Sequence, residues 1–206
     1  MRVFGQGVKY MGKENAHFII GIDIDDTLVD TFEYFQPLVA ELTGKPLDYL
    51  IENDISYENT PMEWGMDSLD FAHRFFDDYV PGTPAKKGAA QAVARLRKAG
   101  NRVVIITSRT NMLYKDCYYT SQLELANCGI EYDNLICTVD KGQACLDEKV
   151  DIMFDDLVVN CEAVSRAGAK AILFTSKENK NEKSPFPRVA NWDEALELLG
   201  KLGVPY

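Results

Sequence analysis

Two carboxylates two positions apart, Asp23 and Asp25, close an otherwise apolar run in FIIGIDIDDTLVDT (18–31). Side chains alternate faces along a strand, so acids at this spacing can share one side. Asp26 and Thr27 follow at once, and a helical pattern begins behind them. A helix cap needs one such residue, whereas here three acids and a threonine occupy five positions. Carboxylates crowded at the end of a greasy strand repel one another and call for a cation.

Three more polar clusters end apolar runs further along. RVVIIT (102–107) finishes on Thr107 and continues into Ser108-Arg109; LICT (135–138) is followed by Lys141 at the start of a helical pattern; DIMF (151–154) runs into Asp155-Asp156. Alone, each is as well explained by a helix cap or a surface lysine. Together they supply carboxylates from two strands, which suit a hard cation such as Mg²⁺, and a hydroxyl and a lysine, which suit phosphate oxygens.

The elements that must position these residues alternate. TFEYFQPLVAELT (31–43) carries apolar residues at helical spacing and closes on Gly44 and Pro46, with Pro37 predicting a kink or a later start. A less regular stretch leads to a second helix over 67–79, with Asp67 or Ser68 as its cap, and PGTP (81–84) breaks the chain. From Ala85 the pattern is regular: helix 89–100, strand 102–107, helix 114–127, strand 135–138, helix 141–148, strand 151–154, helix 158–167, strand 170–174 and helix 192–201. Five strand-then-helix units predict a Rossmann-like parallel five-stranded sheet with helices on both faces. The passage 31–84 is too long for a simple crossover, so it reads as a small helical cap inserted after the first strand. The core is then 1–30 and 85–206. The lysine- and asparagine-rich loop 177–184 reads as a solvated connector. In open parallel sheets ligands sit beyond the carboxyl ends of the strands, where all four polar clusters fall.

Composition bounds the setting. The chain has 206 residues, 46% apolar and 26% charged, which suits a globular protein with a full core. A net charge of −10 argues against coating a nucleic-acid polymer. The five cysteines form no C-x-x-C pair and read as buried reduced thiols. No stretch has the length of a membrane span and the N-terminus lacks a signal peptide's apolar segment, so a cytoplasmic protein is expected. A homodimer is one oligomeric option that the sequence leaves open.

These residues in this order resemble the haloacid dehalogenase (HAD) superfamily of phosphotransferases. The likeness covers roughly 18–29 and 85–200 and includes four sparse motifs: Asp23-Ile24-Asp25-Asp26-Thr27, Thr107, a lysine best matched by Lys141, and Asp155-Asp156. TSR at 107–109, KGQACL (141–146) before DIMFDD, and the terminal NWDEAL (191–196) are most similar to the 5′(3′)-deoxyribonucleotidase group and its bacterial relatives. Some members of that group carry the lysine nearer the second motif, which would make it Lys115.

The resemblance implies a Mg²⁺-dependent phosphatase. Asp23 would attack phosphorus and form an aspartyl-phosphate, and Asp25 would serve as acid and then base. Mg²⁺ would be held by Asp23, the backbone carbonyl of Asp25 and the Asp155-Asp156 pair, with Asp156 favoured for direct contact. Thr107 and Lys141 would hold phosphoryl oxygens, with Ser108 and Arg109 beside them on the substrate. Dehalogenases lack the second aspartate, and a Schiff-base phosphonatase would want a cap lysine better placed than Lys45, the only one in 31–84. Aromatics gather in the cap, and a nucleobase pocket needs flat rings, which nominates Phe32, Phe35 and Trp64. The expected substrate is a (deoxy)nucleoside monophosphate. The alternatives are a sugar phosphate or other small phosphometabolite, and a phosphate-binding module without turnover, against which the intact Asp23–Asp25 pair speaks.

Overall fold

The computed structural model describes residues 17–53, 55–56, 69–177 and 179–206, with the side chains of 69–72 and 74 outside that description. Six parallel strands form one sheet: β1 (Ile19–Ile22), β2 (Arg102–Thr107), β3 (Asn134–Cys137), β4 (Ile152–Asp155), β5 (Lys170–Phe174) and β6 (Arg188–Val189). Their order is β3-β2-β1-β4-β5-β6, so β1 is central and the connection order reverses beside it. The expected sheet is present with one strand more than the five predicted. The extra strand has two residues, too few for any periodicity, and among the described residues pairs only with β5, at the sheet edge.

The helices are α1 (Thr31–Thr43), α2 (Leu47–Glu52), α3 (Leu69–Tyr79), α4 (Ala89–Lys98), α5 (Cys117–Asn127), α6 (Lys141–Glu148), α7 (Val158–Arg166) and α8 (Trp192–Lys201). Strand alternation splits the core between the two faces. Ile20, Ile22, Val103, Ile105, Phe154 and Ile172 pack with Val93 and Leu96 of α4 and Trp192 and Leu199 of α8. Ile19, Val104, Ile106, Met153 and Leu173 pack with Cys145 of α6 and Cys161 of α7. These alternating sets are what a sheet covered on both faces requires. Gly21 belongs to this central crowding: a Cβ there would meet Met153 Sδ at 2.5 Å and Val150 Cγ1 at 3.1 Å.

Between β1 and α4 the chain lays down α1, α2, α3 and a 3₁₀ turn at Val80–Gly82. Phe35, Val39 and Leu50 cluster there with Phe75, Phe76 and Val80, and the cluster takes in Tyr114 and Cys117 from beyond β2. Helix α1 starts at Thr31 and runs through Pro37, so of the kink or later start expected there the later start does not occur. Proline removes the donor that the Glu33 carbonyl would use, but Glu33 and Pro37 both lie on the exposed side, where water can replace it. The predicted cap of α3 at Asp67 or Ser68 lies outside the described residues. All five cysteines are free thiols, with Cys117, Cys145 and Cys161 buried. Among the described residues no helix is long and apolar enough to cross a membrane.

Candidate active site at the sheet switch point

Strand pairing decides which polar clusters meet. β1 pairs with β2 on one side and β4 on the other, so Asp23, Thr107 and Asp155 emerge from three adjacent strands at their carboxyl ends. The Asp23 amide still donates to Phe154 O at 2.9 Å, carrying the ladder one residue past β1. The chain then turns: Leu28 N returns to Ile24 O at 2.9 Å, and Asp26 adopts φ 49, a left-handed conformation that aspartate tolerates better than most residues. Both Asp26 oxygens accept from Phe32 N at 3.2 Å, tying the turn to the first turn of α1.

Lys141 arrives from the side. Asp140 caps α6 by accepting from Gln143 N at 2.9 Å, which makes Lys141 the first helical residue. Its side chain is only 1% exposed, and Nζ lies 2.7 Å from Asp23 Oδ1 and 2.6 Å from Asp155 Oδ2. Nζ forms an ion pair with Asp23 and donates a hydrogen bond to Asp155. Burial opposes the charge on Lys141, but Asp155 and Asp23 outweigh it and hold the ammonium above its ordinary range. Lys115 is 66% exposed and, among the described residues, its ammonium reaches only Asp77, at 3.8 Å. Of the two candidate lysines, Lys141 stands at the strand-end rim.

Asp23, Asp155 and Asp156 each present an oxygen within 4.8 Å of the others, and all three are buried. Asp155 is fully committed, since its second oxygen accepts from Leu157 N at 3.0 Å and Asn160 Nδ2 at 2.9 Å. Among the described residues no hydrogen bond or ion pair reaches the Asp156 carboxylate. Burial pushes Asp23 up to about 7, with Lys141 pulling the other way. Burial, followed by the charges of Asp23 and Asp155, pushes Asp156 well above the usual range. Three buried carboxylates against one ammonium leave a negative excess, and hard oxygen donors with a free member fit a small divalent cation.

Asp25 turns away from this trio. Its Oδ1 accepts from Thr31 Oγ1 at 2.8 Å and Arg109 Nη2 at 2.7 Å, and its Oδ2 from Arg109 Nε at 2.9 Å. Burial alone would raise Asp25, but the Arg109 guanidinium outweighs it and holds the carboxyl below the usual range. Thr107 is buried at the end of β2, and Ser108 beside it is exposed. Of the nominated rings, Phe32 is half-buried with Lys177 Nζ 5.4 Å from its centroid. Phe35 is 1% exposed within the aromatic cluster, 5.1 Å from Phe75. Trp64 lies outside the described residues.

Four partners escaped the sequence reading. Glu124, wholly buried on α5, accepts from Arg109 Nη1 at 2.6 Å. Its burial pushes it up to about 7 against the pull of Arg109. Asn179 sits in the loop read as a solvated connector, yet it is buried. Its Nδ2 donates to Phe174 O at 2.7 Å and to Asp156 O at 2.5 Å, joining the ends of β4 and β5. Trp192, packed between Phe154 and Phe174, donates from Nε1 to Thr27 O at 3.1 Å. Asn160, four residues after Asp156, had a readable signal, namely helical spacing behind a paired acid. Glu124 and Asn179 had none.

Residues 17–203 match the family described as "5′ nucleotidase, deoxy (Pyrimidine), cytosolic type C protein". No curated protein matches the chain. Among solved structures it is similar to a HAD family hydrolase from Deinococcus radiodurans R1 with bound phosphate and sodium, at TM-score 0.60 and 17% identity over 93% of this chain and 99% of that one. It is also similar to CbbY from Rhodobacter sphaeroides in complex with phosphate, at TM-score 0.61 and 15% identity over 90% and 98%. A third is a HAD-superfamily hydrolase from Ehrlichia chaffeensis, at TM-score 0.55 and 14% identity over 91% and 98%. At such identities the likeness is one of fold.

Proposed function

The chain belongs to the deoxy (pyrimidine), cytosolic type C 5′-nucleotidase family and is a HAD-type phosphatase, and from that premise we propose that it hydrolyses (deoxy)nucleoside 5′-monophosphates in the cytoplasm with Mg²⁺. The observation that carries the reading is the buried Asp23 carboxylate, paired with Lys141 and gathered with Asp155 and Asp156.

Asp23 is the nucleophile. One of its oxygens bonds to phosphorus as the ester P–O bond breaks, and the leaving oxygen takes a proton from Asp25, which must first bind that proton against the pull of Arg109. A water then attacks phosphorus, gives a proton back to Asp25, and releases inorganic phosphate and the Asp23 carboxylate. Lys141 and Thr107 hold phosphoryl oxygens through this exchange, and Lys141 also restrains the charge of the nucleophile. Asp23, the Asp25 backbone carbonyl and Asp156 would hold Mg²⁺, with Asp155 behind; the carboxylate of Asp156, unpaired among the described residues, and the committed one of Asp155 support that division. When bound, the ion supplies charge neutralisation between carboxylates and phosphate.

Residues 31–84 serve as a cap over the core formed by 1–30 and 85–206 and select the substrate. Phe32 is the ring best suited to face it: half-buried and one residue from Thr31, which touches Asp25. Ser108, exposed beside Thr107, supplies a further polar contact. A phosphatase screen over nucleoside monophosphates and sugar phosphates, with Mg²⁺ and with chelator, tests the reading. Mg²⁺-dependent turnover led by a deoxynucleoside 5′-monophosphate is expected. A sugar phosphate turned over fastest would overturn the substrate, and full activity in chelator the mechanism.

A further inference from the structure

Resting on the phosphatase reading above, we infer that Arg109 is a positioning residue for proton transfer: it fixes the Asp25 carboxylate and does not bind the substrate phosphate. Its side chain is 2% exposed and its guanidinium is spoken for on three sides. Nε and Nη2 form a two-point fork on the two oxygens of Asp25, at 2.9 and 2.7 Å. Nη1 donates to Glu124 Oε2 at 2.6 Å and to Ser121 Oγ at 3.3 Å. The Tyr114 ring centroid lies 5.7 Å from Cζ. An arginine that receives phosphate presents an open N–H edge to the site, and this one has its back anchored in α5 and its front closed on Asp25.

The Asp25 side chain is 31% exposed, so the clamped carboxylate still faces outward. A carboxylate gripped at both oxygens cannot rotate freely, which is the orientation a proton donor or acceptor needs. Thr31 at the start of α1 grips Oδ1 from the other side at 2.8 Å. The grip therefore joins α5, the catalytic turn and the first helix of the inserted segment through one carboxylate. Lysine cannot reproduce it, because a point charge has no fork.

A residue that acts only through Asp25 matters in proportion to the proton that the leaving oxygen needs. The test compares kcat/KM on phenyl phosphate, whose leaving oxygen is strongly basic, and on p-nitrophenyl phosphate, of similar shape but weakly basic leaving oxygen. Both are run with Mg²⁺ on wild type, Arg109→Lys and Arg109→Gln. General acid catalysis typically contributes about a hundredfold or more, so the loss on phenyl phosphate should exceed that on p-nitrophenyl phosphate by at least about tenfold. Inhibition by inorganic phosphate should be unchanged. Equal losses on the two esters, weakened phosphate inhibition, or no loss on either would each overturn the inference. If both Arg109 variants fail to fold, Glu124→Gln loosens the anchor that holds the same guanidinium against Asp25, and the same ratio decides the question. Wild type that turns over neither ester overturns the phosphatase reading and this inference with it, whereas an active wild type with equal losses overturns this inference alone.

Discussion

Lys141 Nζ lies 2.7 Å from Asp23 Oδ1, which sets the first residue of α6 against the acid that ends the central strand. The two are 118 positions apart in the chain, and a charge pair this deeply buried is costly to leave half-made.

Replacing Lys141 by alanine should therefore lower kcat/KM by roughly a hundredfold or more, about 2.7 kcal/mol in barrier. It should also lower the melting temperature, since Asp23 and Asp155 are left facing each other. Lys115→Ala removes an exposed charge with one distant partner and should change kcat/KM by no more than about twofold. Steady-state kinetics on the two variants give the ranking, and the reverse order would move the role to Lys115.

Mg²⁺ should stabilise the folded protein, because the buried acids are gathered only in the native state. At a hundred times its dissociation constant, a ligand of the folded form contributes about 2.7 kcal/mol. Asp156→Asn should remove most of the rise in melting temperature on adding Mg²⁺ to chelator-stripped protein. A full shift in the variant would exclude Asp156 as a direct ligand.

Glu124 makes stability depend on pH. Its pKa is raised from 4.5 to about 7 by burial, so the folded state holds a proton that the unfolded state releases. The stabilising contribution is complete below pH 4.5 and is lost as pH rises through about 7. Asp23, Asp26 and Asp156 are shifted upward as well, so metal-free protein should weaken over the same rise. Urea unfolding in chelator at pH about 5 and about 8 should show Glu124→Gln losing less stability than wild type, by on the order of 2 kcal/mol. An equal loss in both would mean that Glu124 stays ionised throughout.

Trp192→Phe keeps an aromatic ring between Phe154 and Phe174 but removes the donor to Thr27 O. Leaving a buried carbonyl without its partner costs about 1–3 kcal/mol, and the carbonyl belongs to the turn that follows Asp23 and Asp25. Both stability and kcat should fall, kcat because the turn that carries Asp23 and Asp25 is looser. Unchanged chemical denaturation would show that the carbonyl finds another partner.

Much of this protein is local. Alternating runs of apolar residues at strand and helix periods set out five of six strands and the helices around them, and Asp23-x-Asp25 nominated the site proposed here because acids rarely end a greasy strand without cause. Caps at Asp116, Asp140 and Asn191 follow from one residue and the three behind it. What pairing and packing decided is of another kind. Arg109 stood in the sequence beside Thr107 as if for a substrate, yet Asp25 and Glu124, 84 and 15 residues away, claim its guanidinium. Asn179 stood in a run of lysines and acids, and only the ends of β4 and β5 make it an interior group. Lys141 and Lys115 are equally polar on paper, and the sheet order, with β1 between β2 and β4, leaves the buried place to Lys141. Periodicity records how one segment meets water, and so it is written in that segment; a buried charge is stabilised by partners that the chain brings together only on folding.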